Sequence, residues 1–184
     1  YIPVSEMRKG VTVVKYKIVF KAKFADGKFD KVKARLCACG YTEIFGKDYK
    51  ESFAPTVELD IMRMACSIGA RRGMSCRVLD IGNAFLHADL PVTKYIKIPP
   101  GMPTHDANGN KLIGALRKAI YGLVESGRLW HEVIDRFLVD EAGYNRMISA
   151  ASIYFKWTGG NLSTICLHVD DLKSWCDDKK DELE

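Results

Sequence analysis

Apolar and basic residues alternate along "YKIVFKAKFADGKFDKVKARLC" on both sides of Asp26-Gly27. A period of two around a central Asp-Gly predicts an antiparallel hairpin over residues 16 to 37 with a lysine-rich exposed face. The period then changes. In "DIMRMACSIGARRG", Ile61, Met64, Ala65 and Ile68 recur at i, i+3, i+4 and i+7, which predicts an amphipathic helix with Asp60 as N-cap and Gly73 as stop. "CRVLD" reads as a short buried strand delivering Asp80 to its end, and "YIKI" before Pro99-Pro100-Gly101 as another. A second helix is expected in "SGRLWHEVIDRFLVDEAG", with Trp130, Val133, Ile134, Phe137 and Leu138 on one face, Ser126 as cap and Gly143 as stop. Finally "SIYFKW", the turn "TGGN" and "LSTICLHV" predict a hairpin whose second strand runs into Asp170-Asp171.

The order hairpin, helix, strand, helix, hairpin places the chain in the α+β class, a mainly antiparallel sheet packed on helices. At 184 residues it fits one domain or one and a half, and 47% hydrophobic with 28% charged residues describes a soluble globular chain. The net charge of +5 permits nucleic acid without demanding it. Ten lysines and arginines fall within the first 35 residues, whereas the last eight residues, "DDKKDELE", are mainly acidic. A basic front half suits a polyanion, and a solvated hairpin face accounts for the same charges. The six cysteines lack CxxC spacing and zinc-type histidine partners, so reduced thiols in an intracellular compartment, cytoplasmic or nuclear, are expected. No apolar run approaches the roughly 18 residues needed to cross a bilayer, so no membrane partner is expected. The start, "YIPVSEMRKG", has no signal-peptide layout and reads like the middle of a longer chain.

The candidate chemistry lies in "ICLHVDDLKSW", where an apolar run ends in two adjacent aspartates. Adjacent carboxylates repel unless a cation or a solvated turn accommodates them. In the expected layout Asp80 and the Asp170-Asp171 pair end strands on the same edge of one sheet, a set of three hard oxygen donors suited to Mg2+ or Mn2+. Two such ions clamp the attacking and leaving oxygens of a phosphoryl displacement, the chemistry of polymerases and nucleases. The alternative is that Asp80 caps a turn and the pair sits in solvent. Spacing alone leaves both open.

Several stretches together resemble the reverse transcriptase of copia-type LTR retrotransposons: "KARL" with "GYTE", "DYKESFAPTVEL", "LDIGNAFLHADL", "PPGM", "YGL" with "RLW", and "HVDD", in the family's order over nearly all of residues 1 to 175. The resemblance implies a right-hand polymerase, with residues 1–58 fingers-like and 59–184 palm-like, the latter with room for fingers insertions. It implies an RNA-directed DNA polymerase, a nucleotidyltransferase moving dNTP onto a primer end. Asp80, Asp170 and Asp171 would be its catalytic metal ligands for Mg2+ or Mn2+. Lys33, Arg35, Phe85 and Arg128 would bind the nucleotide, Phe85 lying under the sugar where it rejects a ribose hydroxyl. The implied partners are an RNA or DNA template with its primer, dNTP, and the rest of a polyprotein with integrase and RNase H, or a larger assembly. The implied location is particle-associated in the cytoplasm, or nuclear.

The chain departs from the family's pattern at four places. His168 stands where the paired aspartates are usually preceded by tyrosine, and Val124, Glu125, Ser126 and Gly127 replace the usual Lys-Gln-Ala-Pro. Cys39 replaces a lysine before "GYT", and Ala150 replaces an aspartate. A chain ending 13 residues after Asp171 is expected to lack thumb and RNase H, hence to hold a duplex poorly. A second function stays open on these grounds: a decayed or recruited domain acting as a catalytically weak nucleic-acid-binding or structural subunit.

Overall fold

The computed structural model describes residues 1–177, so the acidic stretch beyond Asp177 lies outside the described residues. In chain order the strands are β1 Ile2–Pro3, β2 Val13–Val14, β3 Tyr16–Ala25, β4 Lys28–Ala38, β5 Ser75–Asp80, β6 Asp89–Ile96, β7 Leu112–Lys118, β8 Asn145–Met147, β9 Ala150–Thr158, β10 Asn161–His168 and β11 Asp171–Cys176. The helices are α1 Leu59–Arg72 and α2 Ser126–Arg136. This strand-rich arrangement of sheets with two helices is α+β. Among the strands of the described residues only β2 with β6 pairs in parallel, beside an isolated parallel bridge between Phe45 and Tyr49.

The chain forms two compact units, Tyr1–Ser52 with Phe85–Leu129 and Phe53–Ala84 with Trp130–Glu184. Both are discontinuous. The chain passes between them after Ser52, Ala84 and Leu129.

The first unit contains the β3–β4 ribbon and the sheet β1-β7-β6-β2. The hairpin turn at Asp26-Gly27 has φ of +50° and +74°, the signs of a type I′ turn. Its register sets Lys21 opposite Lys33 and Lys23 opposite Lys31, while Phe20 faces Ala34 and Ala22 faces Val32. The alternation therefore makes one basic face and one apolar face. Val14, Ala38, Ile96, Ile120 and Leu123 form the buried core of this unit.

The second unit is the sheet β5-β11-β10-β9-β8, with α1 against one face. The stripe that α1 buries is Ile61, Met62, Ala65 and Cys66, packed on Ile153, Cys166 and Trp175, whereas Met64 and Ile68 are exposed. The expected face was thus rotated by part of a turn. Gly69 is the reason: a Cβ there would lie 2.3 Å from Cδ1 of Trp175, so the missing side chain lets the indole reach the helix backbone and sets which face turns inward. The N-terminal boundary also differs. Glu58 precedes the helix without a side-chain cap, and Asp60 lies in the first turn, 3.0 Å from Arg63. Gly73 ends the helix at φ +67°, as expected.

β5 is an edge strand with Val78 and Leu79 exposed, not the buried strand its apolar letters suggested, because it pairs only with β11. In α2, Trp130 and Ile134 are buried; just past its end Leu138 is buried, but Phe137 is exposed. A π-helical turn over Phe137–Glu141 shifts the helical phase at that point. Ser126 is the first residue of α2, and its hydroxyl donates to the Ile120 carbonyl at 2.7 Å.

Candidate active site

The β5–β11 ladder places Asp171 directly opposite Asp80, and the β10–β11 ladder places His168 opposite Asp171. Directly opposed residues share a face of the sheet, so His168, Asp171 and Asp80 form one cross-strand row. Asp80 and Asp171 are exposed, and Asp170 is half-buried in the turn between β10 and β11. The Ile81 amide donates to the Asp170 carbonyl at 2.8 Å, tying the end of β5 to that turn. The three aspartates thus come to one end of one sheet. Among the described residues, no group of three or more His, Cys, Asp or Glu side chains is gathered tightly enough to hold a metal by itself.

The turn itself is unusual. His168 pairs with Asp171, leaving Val169 and Asp170 as a two-residue loop. Val169 has φ +58° while Asp170 has no positive φ, the signs of a type II′ turn. Glycine normally occupies the first such position, and a β-branched residue there carries strain of about 1–3 kcal/mol. The Val169 carbonyl accepts a hydrogen bond from the indole N–H of Trp130 at 2.7 Å. Trp130, on α2, is buried at 4% exposure.

The other sequence-derived candidates belong to the first unit. Lys33 is exposed on the basic face of the ribbon, two residues before Arg35 on the same face. The Arg35 guanidinium lies over the Tyr121 ring at 5.7 Å, and Tyr121 meets Phe85 edge to face at 4.6 Å between centroids. Arg35 and Phe85 are therefore linked through an aromatic residue that sequence reasoning quoted only as part of "YGL". Edge-to-face and cation–π contacts of this kind fix ring orientation.

Arg128 lies 3.6 Å from Glu125, whose other oxygen is 2.8 Å from Lys94. Lys94 also pairs with Glu43, and the second oxygen of Glu43 accepts the Val124 amide at 2.8 Å. Lys94, Glu43 and Glu125 are all at least nine-tenths buried. Lys94, Glu125 and Arg128 wall a cavity of about 410 Å³ together with Val11, Thr12 and residues 46–51.

Residues 2–181 match the family described as reverse transcriptase (RNA-dependent DNA polymerase). The chain belongs to the reverse transcriptase family. It is 34% identical over 163 residues to the retrovirus-related Pol polyprotein from transposon RE2 of Arabidopsis thaliana, a match covering 88% of this chain and 11% of that protein. To the Pol polyprotein from transposon TNT 1-94 of Nicotiana tabacum it is 33% identical over 169 residues, covering 91% of this chain and 12% of the other. Against the Ty1-DR4 Gag-Pol polyprotein of Saccharomyces cerevisiae, 94 residues are 39% identical, covering 51% of this chain and 5% of the other. These relatives are copia-type retrotransposon proteins, and the chain spans about a tenth of the length of the first two. None of the solved structures is significantly similar to it.

Glu125, one of the departures from the family's pattern, is held inside the first unit. Its carboxylate is buried and engaged by Lys94 and Arg128. Cys39 is likewise buried, with its amide donating to the Lys15 carbonyl at 2.7 Å. His168, by contrast, is exposed beside the carboxylate row. Among the described residues no helix is long and apolar enough to cross a membrane.

Proposed function

We infer that this chain is the polymerising part of a copia-type Pol polyprotein, adding deoxynucleotides to a primer paired with an RNA or DNA template. The reading rests on one observation above the others: Asp80 and Asp171, 91 residues apart in the chain, face each other across two paired strands with Asp170 adjacent. Like charges directly opposed destabilise a ladder, so the arrangement suits a cation. Magnesium is commonly held by one or two carboxylates completed by substrate phosphates rather than by a full protein cage. A carboxylate pair with one neighbour fits that pattern, and the hard oxygen donors suit Mg2+ or Mn2+.

Bound there, the metal supplies Lewis-acid stabilisation of charge at the attacking and leaving oxygens. Asp80, Asp170 and Asp171 hold it. In the reaction the primer's terminal hydroxyl oxygen bonds to the α-phosphorus of the dNTP, its proton passes to solvent water, and the bond from that phosphorus to the bridging oxygen breaks, releasing pyrophosphate. Lys33 and Arg35 bind the triphosphate, Arg35 held in place by the Tyr121 ring. Phe85, braced by Tyr121, packs under the sugar, and Arg128 contributes positive charge near the nucleotide. The first unit is fingers-like and the second palm-like. Opposed lysines on the ribbon, Lys21 with Lys33 and Lys23 with Lys31, suit a polyanion such as template or nucleotide. The working context is a polyprotein with integrase and RNase H, particle-associated in the cytoplasm or in the nucleus.

The second reading, a weakly active nucleic-acid-binding subunit, keeps His168 as its support and loses Glu125, which is neutralised within the first unit. Primer extension decides between them. With a primed RNA template, Mg2+ and dNTPs, the chain should add nucleotides, and Asp170→Asn should abolish the addition. Salt-dependent binding without extension above the Asp170→Asn background would support the second reading.

A further inference from the structure

Two forms of the two-residue hairpin turn interconvert by rotating the central peptide. The II′ form has positive φ at the first central residue only, and the I′ form at both. Here the central peptide joins Val169 to Asp170, and its carbonyl belongs to Val169. The φ signs at Val169 and Asp170 are those of the II′ form, although neither position is glycine. Of the other two-residue turns among the described residues, those at Asp26-Gly27 and Gly159-Gly160 have positive φ at both positions and that at Ile148-Ser149 at neither. Aspartate enters the left-handed region more readily than most residues, so the I′ form is accessible to Asp170. Rotation to it would move φ of Asp170 into the left-handed region and turn the Val169 carbonyl through roughly half a revolution.

The central carbonyl of such a turn takes no part in the ladder and must find a partner elsewhere. Its partner is Trp130, whose indole N–H donates to it at 2.7 Å from a buried ring on α2. We propose that Trp130 is a positioning residue: its N–H holds the Val169–Asp170 peptide in its present orientation and so fixes the backbone that carries Asp170 beside Asp171 and Asp80. The flipped peptide points its carbonyl away from the indole and loses that bond. Trp130 therefore favours one turn state over the other, while the Ile81 amide, bonded to the Asp170 carbonyl, secures the next peptide. The role rests on the reading of these aspartates as metal ligands.

Trp130→Phe keeps a buried ring and removes the N–H. Hydrogen exchange of the 169–171 amides, measured on the full chain without metal, should rise about tenfold, while the 164–166 amides of β10 keep their protection. Mn2+ alone, followed by electron paramagnetic resonance, should bind Trp130→Phe about tenfold more weakly. Unchanged exchange at the turn with unchanged Mn2+ binding would overturn the proposal. Should the variant not fold, the indole N–H of Trp130 in the unaltered chain is the measurement. Strong protection from exchange is expected, and exchange at the rate of free indole would overturn the role. The exchange readouts need neither metal nor activity. Failure of the polymerase reading would appear instead as extension undiminished by Asp170→Asn, with the turn still ordered.

Discussion

Asp171 stands directly across the strand pair from Asp80, on the same face of the sheet. Both are exposed, so water screens their repulsion, and neither lysine nor arginine shares the row, which His168 completes. Without divalent metal, Asp80→Asn should therefore raise stability by about 0.2–1 kcal/mol, the range of cross-strand charge effects. Urea unfolding in EDTA measures it. A gain in stability with a loss of extension would mark the pair as kept for function rather than for folding.

The Lys94, Glu43 and Glu125 group makes a different prediction. Replacing the cation with Lys94→Met leaves two buried carboxylates facing each other, and breaking such a buried pair costs about 3–5 kcal/mol. The denaturation midpoint should fall steeply. A shift no larger than that of a surface lysine would show that the group does not hold the first unit together.

In α1, Gly69→Ala sets two effects against each other. Helix propensity favours alanine by about 0.8–1.0 kcal/mol, but overpacking costs about 1–3 kcal/mol. A Cβ would press on the buried Trp175 ring from 2.3 Å, and a ring in a core cannot yield as a flexible chain end would. The net effect should be destabilising, read from the thermal midpoint.

Cys166 gives a pH dependence. Burial pushes its thiol up to about 12, from 9.0, with the nearby Cys66 adding in the same direction. A thiol whose folded pKa is raised contributes stability that is complete below about 9 and is lost as pH rises toward 12. Cys166→Ser, or any change removing the thiol, should flatten the alkaline side of the stability profile between those values. Thiol labelling at pH 8 should modify exposed Cys76 and spare Cys166 until the chain unfolds.

The elements most legible in the sequence are those with two signals that agree. The β3–β4 hairpin has alternation and an Asp-Gly turn, and both appear where expected. The carboxylate residues were legible because a strand ending in aspartate is visible in the letters, and "HVDD" and "LDIGNAF" occur together. Four features were not. The α1 face depends on Gly69 meeting Trp175, a contact over a hundred residues apart in the chain. The exposure of β5 depends on its place at the sheet edge, which apolar letters do not encode. β7 was missed because Gly114 and Ala115 dilute its strand pattern; Gly114 lies opposite Ile96, where a Cβ would sit 2.8 Å from the Ile96 side chain. The buried partner of Glu125 is Lys94 of β6, distant in the chain, so its neutralisation could not be read beside "YGL".

The central claim is that Asp80, Asp170 and Asp171 hold a divalent ion that the nucleotide helps to complete. Mn2+ binding followed by electron paramagnetic resonance, with and without dNTP, tests it most directly. The unaltered chain should bind Mn2+ more tightly when dNTP is present, and Asp80→Asn and Asp171→Asn should each weaken that binding by about a hundredfold, roughly 2.7 kcal/mol. Equal Mn2+ binding by the unaltered chain and both variants would contradict it.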